Sequence, residues 1–402
     1  MSLLIPIKYR DLNYPEPIEA NICEIAGNFD IESISVDTPY SLHTEYSYGA
    51  KALNSKIIND LEGITSAQKE KNGIPQLWLN EAWAKDFFYF IERLTNDNPP
   101  DVLEVHPPFN DYCSSFEQFM QVFRVFYDKI KNKYPLITIL IENRFGTMYK
   151  GGRFLLQYCS DVIAFCNILF NDYSDIDFKI VLDYPQLISA ETKMNFTKFD
   201  KIFSFNEKLE KYIDRIGGFH MWGKKKSDSG KWVAHQGNLD DFFSKNCKLK
   251  EDFLKSVSTT FDDGIARYFV PEVNSGQSDL HTIVNDMKKC GFRFESDHLS
   301  KAIQKSFNFR LPEEYLANRK RGFFEKDGWS IKFCFGNKNG KEYMDYFCEH
   351  RMTNIRHGRI FEDESEEILP APDYFIYDNN DPEDYKNKRH EILNLLRKKG
   401  FI

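Results

Sequence analysis

ITILIEN (137–143), FKIVLDYP (178–185), RIGGFHMWG (215–223) and ARYFVPEVN (266–274) decide the fold class. Each is a short run rich in Val, Ile, Leu or Phe that closes on a histidine or a carboxylate. Strands buried on both faces read as near-continuous apolar runs rather than as strict alternation. A charged residue at the same end of each run is costly unless it is paired or metal-bound. Working outward, IPIKYR (5–10), SISVDTP (33–39), PQLWLN (75–80) and VLEVHPP (102–108) bring the number of such runs to eight. NICEIAG (21–27) competes with IPIKYR for the place of the first strand.

Helical patterns lie between these runs. AWAKDFFYFIERL (82–94) and FEQFMQVFRVFYDKIKNKY (116–134) carry apolar residues at steps of three and four, and GGRFLLQYCSDVIAFCNILF (151–170) is more apolar throughout. Alternating strand and helix implies parallel strands joined by crossovers, and eight such units close into a (β/α)8 barrel. An open doubly wound sheet is the competing architecture, but no glycine-rich phosphate fingerprint follows the first strand. The barrel is expected over residues 1–292.

From residue 293 the pattern changes, and residues 293–402 read as a small appended α+β domain. Residues 297–325 look helical and end on the basic NRKRG (318–322). WSIKFCF (329–335), GNKNG (336–340) and KEYMDYF (341–347) give strand, turn and strand. EHRMTNIRHGR (349–359) concentrates His350, Arg351, Arg356, His357 and Arg359, which could hold an anion or pair with the acidic EDESEE (362–367) that follows. A short basic helix closes the chain.

Bulk composition narrows the class. The chain has 402 residues, 42% hydrophobic and 28% charged, with a formal net charge of −8. That is globular composition. The negative charge weighs against a general polyphosphate binder, although a local basic patch can still meet a nucleic acid. The eight cysteines form no CxxC pair, and Cys159 and Cys166 read as small core residues. The opening MSLLIPIKYR has too short an apolar run for a secretory signal, and no membrane span is expected. A cytoplasmic location follows as the expectation.

Five potential metal ligands stand at the C-terminal ends of five consecutive strands: His106, Glu142, Asp183, His220 and Glu272. Barrel enzymes build their sites at that rim. A lone carboxylate there is commonly a helix cap, and a lone histidine is commonly structural; recurrence on five strands points to a metal site. Carboxylate and imidazole donors without thiolate suit Mn²⁺, Mg²⁺, Co²⁺ or Zn²⁺. GKKKSDSGKWVAHQGNLDD (223–241), after the seventh strand, offers Lys224, Lys226 and His235 as substrate contacts beside Trp222, and Gln186 follows Asp183. Each has a plainer reading as a solvated loop or rim-packing residue.

EVHPP, LIENR, VLDYPQ, GFHMWG and PEVNS resemble the xylose-isomerase-like barrel superfamily, with its sugar isomerase and epimerase members and its apurinic endonucleases. The resemblance lies in strand ends over roughly residues 5–290. It implies a metal held by Glu142, Asp183, His220 and Glu272, with Glu142 and Glu272 as the acid/base pair. It also implies a second site through His106. The pattern departs at Gln186 and Val233, where the family has His and Asp, and at PQLWLN, which ends on Asn80 where the nuclease branch has a third-strand His. On this reading the three-zinc cluster cannot form.

Three functions follow as expectations. The first is metal-dependent isomerisation or epimerisation of a sugar or sugar phosphate by proton transfer. The second is metal-dependent phosphodiester hydrolysis on DNA. The third is a non-catalytic binding barrel. The expected partner is a small sugar; a nucleic acid and self-association stay open.

Overall fold

The computed structural model describes residues 2–294, apart from short stretches between 30 and 55 and at 70–73, 97, 135–136, 147–151, together with five strands between 321 and 368. The chain divides into two units, Met1–Glu295 and Ser296–Ile402.

The first unit is a closed barrel of eight parallel strands. These are β1 (Ser2–Lys8), β2 (Ile22–Gly27), β3 (Tyr40–Thr44), β4 (Val102–Val105), β5 (Thr138–Glu142), β6 (Lys179–Asp183), β7 (Ile216–His220) and β8 (Ala266–Val270). Each pairs with the next, and β8 closes onto β1 through Leu3 to Pro6. β2 meets β1 only at Ile7 and Lys8, so β9 (Phe292–Phe294) pairs with Ser2 to Leu4 and fills that edge. An uncovered edge would leave backbone donors and acceptors without partners.

The helices cover the outside: α1 (Glu81–Thr95), α2 (Phe116–Lys133), α3 (Cys159–Asn171), α4 (Tyr184–Thr192), α5 (Asp200–Leu209), α6 (Cys247–Thr260) and α7 (Gln277–Lys289). Asn80 and Ser115 cap α1 and α2 by accepting from Trp83 N and Gln118 N. Their inner faces interlock Trp78, Trp83, Phe87, Phe119, Phe123 and Phe126. Cys159 and Cys166 are buried free thiols on α3. No described helix is long and apolar enough to cross a membrane.

The N-terminal part of the strand reading is corrected. NICEIAG is the second strand and does not replace the first. The third strand is Tyr40–Thr44, not PQLWLN. Within PQLWLN only Pro75 belongs to a two-residue strand, Trp78 takes a left-handed backbone (φ 58°) and Asn80 begins α1. SISVDTP falls partly outside the described residues, and what is described of it is irregular.

In the second unit β10 (Arg321–Lys326), β11 (Trp329–Lys338), β12 (Lys341–His350), β13 (Asn354–Phe361) and β14 (Glu366–Ile368) form an antiparallel sheet in chain order. The register sets Arg359 opposite Asp345 on one side and Glu367 on the other. The expected helices at 297–325 and at the chain end lie outside the described residues, except that Arg321–Lys326 is strand.

Candidate metal centre

Side chains alternate across a strand, so residues two apart share a face. Ile7, Ile22, Val102, Leu140, Val181, Tyr268 and Val270 pack together as an apolar layer. Two residues further along the same strands come Glu24, Glu104, Glu142 and Asp183, and His106 follows Glu104 by two more. The apolar layer therefore floors a charged one. Register between β6 and β7 is set by an irregularity after Ile180, where Gly217 has no partner, so that Asp183 stands opposite His220. Glycine is required there, since a Cβ at 217 would come 2.6 Å from Leu140 Cδ2 and 2.9 Å from Lys179 Cβ.

The five sequence-predicted ligands come together. His106, Asp183 and His220 are 0% exposed, Glu142 1% and Glu272 3%. Three more residues join them that sequence reading missed: Glu24 on β2, His43 on β3 and Glu104 on β4. His43 answers the expectation of an absent third-strand histidine: correcting the strand supplies one.

Glu142 lies at the centre. Its Oε2 is 2.8 Å from His106 Nε2 and 3.1 Å from His43 Nε2, and the two imidazole nitrogens are 3.2 Å apart. Its Oε1 faces the other way, 2.9 Å from Gln186 Nε2 and 4.0 Å from His220 Nδ1. His220 Nδ1 is also 3.5 Å from Glu272 Oε2. Among the described residues four donor groups have ligand atoms within 4.8 Å of one another: His43–His106–Glu142, Asp183–His220–Glu272, Glu24–His43–Glu272 and Glu104–Glu142–His220.

Neighbouring groups hold this layer. Asp183 caps α4 through Gln186 N, as the plainer reading of a post-strand carboxylate supposed, while its Oδ2 accepts from Gln186 Nε2 and Trp222 Nε1. Trp222 is thus buried beneath the site, with its ring 4.1 Å from that of His235. His235 Nδ1 is 3.1 Å from the Glu272 carbonyl oxygen. His235 and Glu272 both take left-handed backbone, at φ 59° and 39°. Such strain in non-glycine residues is concentrated at functional sites. The guanidinium of Arg144 reaches His106 Nε2. Lys224 contacts Ser189 Oγ, and exposed Lys226 lies over Trp232 on the ribbon formed by Lys224–Lys226 and Trp232–Ala234.

The electrostatics are those of crowded acids. Burial works against a charge on His43 and His220, but the carboxylates around them, Glu104 foremost, hold both imidazoles protonated well above the usual histidine range. Burial, then Glu142 and Glu272, push Asp183 up; burial likewise raises Glu24. Burial opposes ionisation of Glu142 and Glu272 as well, yet His106 brings Glu142 well below the usual range and His220 brings Glu272 down to about 2. Burial lowers His235.

This donor set fits divalent cations. Donors around a tetrahedral ion at about 2.1 Å stand about 3.4 Å apart, close to the spacing of His43, His106 and Glu142. Five buried carboxylates converge on imidazoles that are neutral when they bind metal, so the layer calls for positive charge. Buried His, Glu and Asp groups here could hold a metal ion. No family model matches this chain and no curated protein matches it, so the reading of the site rests on its geometry.

Proposed function

We propose that the barrel is a divalent-metal-dependent hydrolase of phosphate esters, with a phosphodiester as the substrate class. What carries the reading is Glu142, whose two carboxylate oxygens face two different groups of potential ligands. A shared carboxylate between adjacent donor groups suits a pair of cations better than one. When bound, such a pair supplies Lewis-acid polarisation of a phosphoryl oxygen and an acidified water.

The chain's own residues have separable parts in this proposal. His43, His106 and Glu142 would hold one cation; Asp183, His220 and Glu272, with Glu142, would hold the other. A cation and the Arg144 guanidinium compete for the same His106 lone pair, so loading frees Arg144 to pair with an anionic oxygen of the substrate. His235 is kept neutral by burial. With Nδ1 donating to the Glu272 carbonyl it offers Nε2 as a proton acceptor. Lys224 and Lys226 supply positive charge on the nearby ribbon. Hydrolysis of bis(p-nitrophenyl) phosphate and of an abasic oligonucleotide, with Mn²⁺ or Zn²⁺, is the test. Turnover of neither would reject this reading.

Sugar isomerisation is the second reading, favoured by a specific feature. Glu142 and Glu272 flank His220 Nδ1 at 4.0 and 3.5 Å, the arrangement of an acid/base pair around a single cation. Incorporation of solvent deuterium into ketoses or ketose phosphates would select it.

A further inference from the structure

Trp222 meets the acidic layer with its N–H and His235 with its ring. Nε1 donates to Asp183 Oδ2 at 2.9 Å, and the indole lies 4.1 Å from the His235 imidazole at an interplanar angle of 33°. The side chain is buried, with Phe242 edge-on to it at 6.4 Å and 83°. The loop that carries both residues is clamped beside them. Gln236 N donates to the Gly223 carbonyl oxygen at 3.2 Å, and a Cβ at 223 would come 2.2 Å from the Gly237 carbonyl oxygen. Asp183 is nearly saturated by its neighbours. Its Oδ1 accepts from Gln186 N at 2.8 Å, and its Oδ2 accepts from Gln186 Nε2 at 2.8 Å as well as from Trp222. An ionised carboxylate offers roughly four lone-pair sites. With three taken, one is left, on Oδ1.

Resting on the metal reading of the site, we propose that Trp222 is a positioning residue with two charges: it confines Asp183 to one point of attachment for the cation held with His220 and Glu272, and it fixes the plane of the His235 ring. Donors behind a ligating carboxylate set the angle at which it meets its ion. An indole suits both tasks, since it is a rigid donor with no acceptor of its own and carries a broad π face. Its hydrogen bond goes to Asp183, so the cation held by His43, His106 and Glu142 is left to its own ligands. Coupling follows, because both contacts belong to one rigid ring: a cation that moves Asp183 also moves the surface on which His235 rests.

The experiment uses full-length protein. Trp222→Phe keeps a ring against His235 and removes the donor. It is expected to weaken one equivalent of Zn²⁺, measured against a competing chelator, by about 10- to 100-fold and to leave the other unchanged. Equal weakening of both equivalents, or of neither, would overturn the proposal, since an indole that only fills space has no preference between them. A second measurement needs no Trp222 variant, so a folding defect in Trp222→Phe leaves it intact. In protein labelled with ¹⁵N-tryptophan, the indole N–H signal that moves most in Asp183→Asn is that of Trp222. The same signal is expected to move on Zn²⁺ loading of the wild type and again in His235→Ala. A signal that responds to only one of the two would break the link. Wild-type protein that takes up no Zn²⁺ would instead remove the metal reading, and this assignment with it.

Discussion

Gln186 Nε2 donates to Glu142 Oε1 at 2.9 Å and to Asp183 Oδ2 at 2.8 Å, so one neutral amide joins the carboxylates of two strands. Its own Oε1 accepts from Phe145 N at 2.6 Å. Replacing it with Gln186→Glu removes both donors and adds a third acid. The cation-free protein is expected to lose about 1–3 kcal/mol of stability, read by urea denaturation. Saturating cation should narrow the gap. An unchanged midpoint without cation would show that the amide does not hold the two acids together.

Glu272 combines a buried charge with a left-handed backbone at φ 39°. Glu272→Gly relieves the strain, of order 1 kcal/mol, but it also takes from His220 the carboxylate that this imidazole holds down to about 2. Loss of the buried pair outweighs the relieved strain, so the cation-free variant is expected to be less stable than wild type by thermal denaturation and to lose turnover and cation affinity. Stability equal to wild type or above it would show that the His220–Glu272 pair does not hold the cation-free layer.

Gly217 sets the register that brings Asp183 opposite His220. Gly217→Ala pushes a methyl against Leu140 and Lys179 and should cost about 1–3 kcal/mol. Because the shift propagates along β7, cation affinity should fall with stability. Loss of stability with unaltered affinity would separate the glycine from the site.

At the other end of β8, Arg267 is fully buried, with Asp263 accepting from Nη1 and Nη2 at 2.8 and 2.6 Å. Burial works against the Asp263 charge, but the guanidinium holds the carboxyl below its ordinary value of 3.8. A lowered carboxylate stabilises the fold in full above its unfolded value and loses that contribution as pH falls through the folded one. Stability should therefore drop as pH falls below 3.8, with a smaller drop in Asp263→Asn. At neutral pH that variant should cost about 3 kcal/mol, because it leaves a buried guanidinium without its counter-ion. Parallel stability–pH profiles for the two proteins would contradict this.

The barrel was legible in the sequence where strand and helix alternate. ITILIEN, FKIVLDYP and ARYFVPEVN are apolar runs bounded by helices, and the carboxylates Glu142, Asp183 and Glu272 stand at or just after their strand ends. The signal weakens at β2 and β3. Among the described residues no helix follows β1 or β2, so the alternation on which the reading relied is absent there. YSLHT, the sequence of β3, is too polar and too short to announce a strand, which hid His43. Glu104 was visible in VLEVHPP as an acid inside an apolar strand, two residues before His106 and hence on its face. Its meaning needed β3 and β7, since the groups it joins are far apart in sequence. Asp183 shows why single residues mislead: it caps a helix and still belongs to the site.

Cation stoichiometry tests the central claim most directly. Protein stripped with a chelator and dialysed against Zn²⁺ or Mn²⁺ is expected to retain two equivalents by elemental analysis. His43→Gln should lower that to one, and Glu142→Gln should weaken both. A wild-type protein that retains none, and whose thermal stability is the same with and without cation, would contradict the claim that this buried layer of acids and histidines is a metal centre.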